Sequence, residues 1–218
     1  NKRAYEDRGF EGFSLDPVGT GPYKLKRLQR DQLGALDAHD DYFMGRPTAR
    51  GIEFRQVPEL AARVAALQSG DVDLITNVTP DQAVTLRGAA GIDVRNVVLA
   101  NVHVLTFDER GPQMGDKRIR QALGLAIDRQ LLVDTLWDGK AVVPPGHNYP
   151  EYGQMFLQGR ALRYDPEAAR RLLREAGYVG QEITYRTMPN YYTNALRAAQ
   201  VIVEMWKAVG INAKLQVV

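Results

Sequence analysis

The chain has 218 residues, 44% of them hydrophobic and 25% charged, with 28 Lys and Arg against 26 Asp and Glu for a net charge of +2. That is the composition of an ordinary globular protein with room for one sizeable core or two smaller ones, and its interspersed charges offer no broad basic face to a nucleic acid. The absence of cysteine excludes disulfides, thiolate catalysis and Cys-ligated metals, and the apolar runs are too short to cross a bilayer or to make a signal segment of the opening residues Asn1 to Asp7.

Gly19-Thr-Gly21 followed by Pro22 reads as a turn needing positive φ that delivers a strand. It lacks the third glycine and the following helix of a nucleotide loop. Tyr23 to Leu28 and Leu33 to Ala38 read as strands around a turn at 29–32, and Ile52 to Val57 as a third. Glu59 to Ser69 predicts a helix stopped by Gly70 and followed by a strand at Val72 to Ile75, a β-α-β unit. Pro80 opens a helix to Arg87, and Ile92 to Val97 and Val102 to Phe107 read as strands.

Ile119, Ala122, Leu123, Ala126 and Ile127 recur at i, i+3, i+4, i+7 and i+8, which predicts a helix with one apolar stripe facing a core. Asp116 is placed to cap its N-terminus, and Asp128 to cap a second helix from Arg129. Asp165-Pro166 starts a further helix with the stripe Ala169, Leu172, Leu173 and Ala176, stopped by Gly177. A last helix carries Ala195, Ala198, Ala199, Ile202, Met205, Trp206 and Val209 on one face, stops at Gly210 and delivers a strand over Asn212 to Val218. Trp137, beside Asp138-Gly139, is expected to be partly exposed. Strands alternating with helices argue for α/β layers on mixed sheets.

Reactive chemistry finds little support. His39, His103 and His147 lack metal-ligand spacing, and Ser14 and Ser69 sit in no nucleophile elbow. Asp71 and Asp73 at a helix exit are explained by capping. No catalytic residue, metal or cofactor is expected.

The stretch from Asp116 to Arg129 resembles the D-x-R-x-R-Q-A-L-x-x-A-I-D-R signature of the peptide-type (family 5) extracytoplasmic solute-binding proteins that feed ABC importers. Pro17-Val-Gly-Thr-Gly-Pro-Tyr-Lys24, Leu67-Gln-Ser-Gly-Asp-Val-Asp73, the segment Tyr164 to Tyr178, and Ala199-Gln200 with Gly210-Ile211 resemble further motifs in the family's order. The resemblance implies a two-lobe fold of the periplasmic-binding-protein type II kind, incomplete here. Residues 1–16 would be the remnant of a preceding subdomain, 17–101 part of lobe I, and 102–218 the first part of lobe II, with the crossover near Asn101. An internal piece of a protein more than twice as long is implied, outside the cytoplasm and membrane-associated through its permease. Binding of a peptide or similar small solute and docking to ABC permease transmembrane subunits would follow, without nucleic acid. The piece alone is expected to bind weakly and to self-associate through uncovered sheet edges. Alternatives are a ligand-sensing domain of a transcriptional regulator, or a binder of an opine, metal chelate, haem or sugar.

In such a fold a ligand is held by polar groups on loops at strand ends, and no nucleophile is needed. The resemblance places Ile75 to Pro80 and His103 to Asp108 at the cleft. Candidate ligand contacts are Asn77 and Thr79, with helix capping as the alternative for Asn77, then His103 and Thr106. Asp108 stands where the family usually has Asn, adding a charge. Tyr191 and Tyr192, paired aromatics in the polar loop Pro189 to Asn194, are candidates for aromatic contacts, with packing on a neighbouring loop as the alternative.

Overall fold

The structure, a computed structural model, describes every residue except Val98, Ala100, Leu162 and Asn190. It divides into two compact units, Asn1–Ile75 and Thr76–Val218.

The first unit opens with α1 (Lys2–Leu15), capped by the Asn1 side chain accepting from the Ala4 amide at 3.4 Å and broken at Gly9, whose φ of 66° lies outside the helical region. No helix is expected here from the sequence, since the segment has no apolar stripe, and none of its residues is buried. Three strands follow, β1 (Tyr23–Gln29), β2 (Leu33–Ala38) and β3 (Gly51–Arg55), in an antiparallel sheet of order β1-β2-β3. The turn between β1 and β2 places Asp31 at φ 58°, a conformation Asp tolerates better than most residues. Helix α2 (Leu60–Ser69) ends at Gly70, whose φ of 80° lets its amide reach the Ala66 and Leu67 carbonyls.

Two expectations for this unit are corrected. Gly19 and Gly21 are absent from the positive-φ positions, and a Cβ on Gly21 would meet nothing within 4 Å, so Pro22 sets the strand entry through its own fixed φ. Val72 to Ile75 forms no strand. The β-α-β unit expected around α2 is therefore not made, because a strand needs a ladder partner and none of the described residues supplies one.

In the second unit, α3 (Pro80–Arg87) begins with Pro at its tolerated position. Ile92 to Val97 and Val102 to Phe107, expected as strands, have no strand assignment at either segment. Their apolar alternation describes extended chain, but hydrogen-bonded neighbours are missing among the described residues. Then come α4 (Lys117–Leu125) and α5 (Arg129–Leu136), each capped as expected: Asp116 accepts from the Arg118 amide at 2.8 Å and Asp128 from the Leu131 amide at 2.9 Å. A two-residue pairing of β4 (Gly146–His147) with β5 (Leu157–Gln158) precedes α6 (Pro166–Glu175), capped by Asp165 on the Ala168 amide at 2.8 Å. The chain closes with β6 (Ile183–Thr187), α7 (Ala195–Ala208) and β7 (Ala213–Val217). The two strands run parallel, with Ile183 opposite Ala213 and Thr187 opposite Val217, so β6-α7-β7 is a β-α-β unit.

The core lies here. Every member of the Ile119 stripe is buried, as are Ala169, Leu173, Ile202, Val203 and Trp206. The end of α4 shows how tightly it is tied in. Its last carbonyls need partners from outside the helix, and three elements supply them. The Trp206 indole donates to Leu123 at 3.0 Å, the Arg129 guanidinium to Gly124 at 3.1 Å, and the Asp165 amide to Leu125 at 2.9 Å. The signature segment is thus a scaffold helix whose polar end is satisfied by α7, α5 and α6 together.

Candidate functional site

Three segments far apart in sequence bring aromatic rings together in the second unit. The His103 imidazole, on the extended chain before α4, stands 5.2 Å from the Trp137 ring at 72° and 4.8 Å from the Tyr192 ring at 49°. Tyr191 meets Tyr192 edge-on, with centroids 4.4 Å apart. Such separations and tilts are those that aromatic quadrupoles favour. Although the His103 residue as a whole is exposed, its imidazole is partly desolvated by burial, which lowers its pKa from 6.5 and favours the neutral form. Tyr191 and Tyr192 remain 64% and 43% exposed.

Asn194 fixes this arrangement. It precedes α7 in the left-handed region at φ 62°, and instead of capping that helix its amide donates to the Leu136 carbonyl at 2.6 Å. The loop carrying Tyr191 and Tyr192 is thereby tied to the end of α5 that carries Trp137. The Tyr192 carbonyl also accepts from the Ala195 amide at 3.1 Å. Asn194 is buried, and its Oδ1 has no hydrogen-bond partner.

The remaining candidates are placed differently. Thr79, not Asn77, is the residue that precedes α3, so Asn77 does not cap that helix; it is exposed at φ 56°. The Thr79 hydroxyl is buried and makes no hydrogen bond of ordinary geometry, yet it lies near enough to Asp81 to be the main influence lowering that carboxyl's pKa, with a smaller contribution from Arg197. Arg197, in the first turn of α7, stands 3.7 Å from Asp81 and so links α3 to the helix behind the tyrosine loop. Thr106 is exposed. Asp108 is taken up by its neighbour. The Arg110 guanidinium donates to both carboxylate oxygens at 2.8 Å and its amide donates at 3.2 Å, holding the Asp108 pKa at about 2.

Of the seven sequence candidates, then, His103, Tyr191 and Tyr192 share one cluster. Trp137 and Asn194 were missed as members. Trp137 signalled itself by lying off the buried positions Leu132 and Val133 of α5, and Asn194 by standing immediately before a helical run. Asn190 of the same loop lies outside the described residues. A separate recess of about 210 Å³ lies between Asp116, Ile119, Gly177 and Tyr178. Arg118 bridges that region to the Glu175 carbonyl at 2.6 Å, and the recess shares no residue with the aromatic cluster. Among the described residues no group of three or more His, Asp or Glu is placed to hold a metal ion, and no helix is long and apolar enough to cross a membrane.

Residues 3–218 match the family described as bacterial extracellular solute-binding proteins, family 5 Middle. The oligopeptide-binding protein AppA of Bacillus subtilis (strain 168) is 29% identical over 221 residues, which cover 93% of this chain and 40% of that protein. The dipeptide-binding protein of Escherichia coli (strain K12) is 29% identical over 209 residues, 94% of this chain and 39% of that one. The solved structure of NikA from Staphylococcus aureus in complex with Ni(L-His)2 superposes with a TM-score of 0.82 at 25% identity, covering 94% of this chain and 44% of that one. The fold is the α/β type II periplasmic-binding-protein kind expected from the sequence. This chain spans about two fifths of the length of the curated relatives it matches.

Proposed function

Since the chain belongs to the family 5 bacterial extracellular solute-binding proteins, we propose that it is part of the substrate-capturing component of an ABC importer, taking a peptide or similar small solute between two lobes and delivering it to the permease. In this reading residues 17–101 contribute to lobe I and 102–218 to lobe II, outside the cytoplasm, and the chain works by recognition without bond chemistry. The family match over nearly the whole chain carries the proposal. The gathering of His103, Tyr191 and Tyr192 supports it, because a carrier needs side chains from separate segments converging on a surface that a ligand can reach. Asn77, Thr79 and Thr106 are proposed as polar contacts along the same cleft. Asp108 is the weakest member of the set, since Arg110 already occupies its oxygens.

Peptide is the ligand class favoured by curated relatives named for oligopeptide and dipeptide binding. Calorimetric titration of the full-length protein with di- and oligopeptides, beside nickel–histidine, haem and an opine, tests the proposal. Saturable micromolar binding of peptides is expected. Binding only of a non-peptide solute would correct the ligand class, and no binding of any of them would overturn the carrier reading.

A further inference from the structure

The aromatic cluster permits a narrower statement of what the cleft takes. We propose that Trp137, Tyr191 and Tyr192, with the His103 imidazole, form a subsite for an uncharged aromatic side chain of a peptide ligand; the proposal rests on the peptide-carrier reading above.

Large aromatic surfaces are normally either buried in a core or scattered singly over the exterior. Here four rings from three segments meet within 4.4 to 5.2 Å of their neighbours, yet Tyr191 and Tyr192 keep 64% and 43% of their surface open. The cluster is also held in place. Asn194 ties the tyrosine loop to the last carbonyl of α5 at 2.6 Å, one residue before Trp137, so the two walls are directly linked. Preorganised aromatic surface of this kind gives affinity at little cost in conformational entropy.

Charge and ring geometry together bear on the class of occupant. On the adjoining segments the Asp138 carboxylate is paired with Lys140 and Asp81 with Arg197. An incoming Lys or Arg would find both of these carboxylates already paired; the ring faces themselves also attract cations, and the Lys peptide below is the competing arm of the test. His103 is desolvated and favours its neutral form, which leaves it able to pack against another ring without charge repulsion. An aliphatic side chain would gain area, but it could not use the edge-to-face arrangement that His103 on Trp137 and Tyr191 on Tyr192 already display.

The test is titration of the full-length protein with the tripeptides Ala-Phe-Ala, Ala-Leu-Ala and Ala-Lys-Ala, in the wild type and in Tyr192→Ala and Tyr192→Phe. Ala-Phe-Ala is expected to bind about 10-fold more tightly than Ala-Leu-Ala, the equivalent of one to two well-oriented ring pairs. That gap should close in Tyr192→Ala and persist in Tyr192→Phe. A second readout does not depend on any variant folding: Ala-Phe-Ala should shift the His103 Hε1 proton by its ring current, and Ala-Leu-Ala should not. Equal affinities for the Phe and Leu peptides, or an unmoved His103 resonance at saturation, overturn the subsite while leaving the carrier reading intact. Tightest binding of the Lys peptide overturns it in favour of a cation site, and failure to bind any peptide overturns both readings.

Discussion

Replacing Trp206 with Ala is the perturbation whose cost follows most directly from the structure. The side chain is 1% exposed, packs its ring 5.5 Å from that of Tyr185, and donates its indole hydrogen to the Leu123 carbonyl at 3.0 Å. Truncation therefore does two things. It opens a large apolar cavity between α4 and α7, which costs about 3 to 5 kcal/mol for an aromatic-to-alanine change. It also strips a helix-end carbonyl of its partner, worth about 1 to 3 kcal/mol when the group stays dry. Water entering the new cavity would recover part of the second loss, so the expected total is about 4 to 6 kcal/mol, a large share of the roughly 5 to 15 kcal/mol by which a domain is stable. Trp206→Phe separates the two effects, since Phe fills most of the space and cannot donate; it should cost about 1 to 3 kcal/mol. Urea unfolding followed by far-ultraviolet circular dichroism reads both variants. A loss below about 1 kcal/mol for Trp206→Ala, or equal losses for the two variants, would refute the reasoning.

Gly21→Ala should change stability by less than about 0.5 kcal/mol, because its φ is unremarkable and a Cβ there meets nothing; a loss above about 1 kcal/mol would show that the turn needs glycine. Gly210→Ala, at φ 95°, should instead cost about 1 to 2 kcal/mol by the same unfolding measurement. Asp116 gives a pH signature. Hydrogen bonds from the Arg118 side chain and amide hold its pKa at about 2 against an ordinary 3.8. The folded value is the lower one, so its stabilising contribution is present above pH 3.8 and lost as pH falls through 2. The difference in melting temperature between wild type and Asp116→Asn should therefore shrink on acidification over that range, and a difference independent of pH would contradict the assignment. On the outer edge of the first sheet Phe54 is 62% exposed, and Phe54→Lys should weaken self-association measured by sedimentation; monomeric behaviour of both proteins would remove the basis for it.

Legibility in the sequence tracked how local the determining physics is. The caps at Asp116, Asp128 and Asp165 and the stop at Gly70 were readable because each is settled within a few residues. The buried stripes of α4 and α7 were readable because helical periodicity reports which face is covered. Strands failed for a matching reason. The apolar alternation at 92–97 and 102–107 describes a chain able to join a sheet, whereas membership depends on a neighbour that no local pattern encodes. The same holds at the site. Paired tyrosines in a polar loop announced Tyr191 and Tyr192, but nothing near them in sequence pointed to Trp137, which arrives through the Asn194 to Leu136 hydrogen bond 58 residues away.

No residue of Asn1–Ile75 is buried, whereas the second unit holds the whole buried core. Amide protons of the sheet at 23–55 then have little to keep them from solvent deuterium beyond their own ladder bonds, and they should exchange through frequent small openings. Those of α7, and the Trp206 indole, can exchange only when the second unit comes apart. One polypeptide would thus carry two clocks, and a labelling time course would show a fast-filling first third beside a slow remainder, with the segment that joins them the first target for a protease.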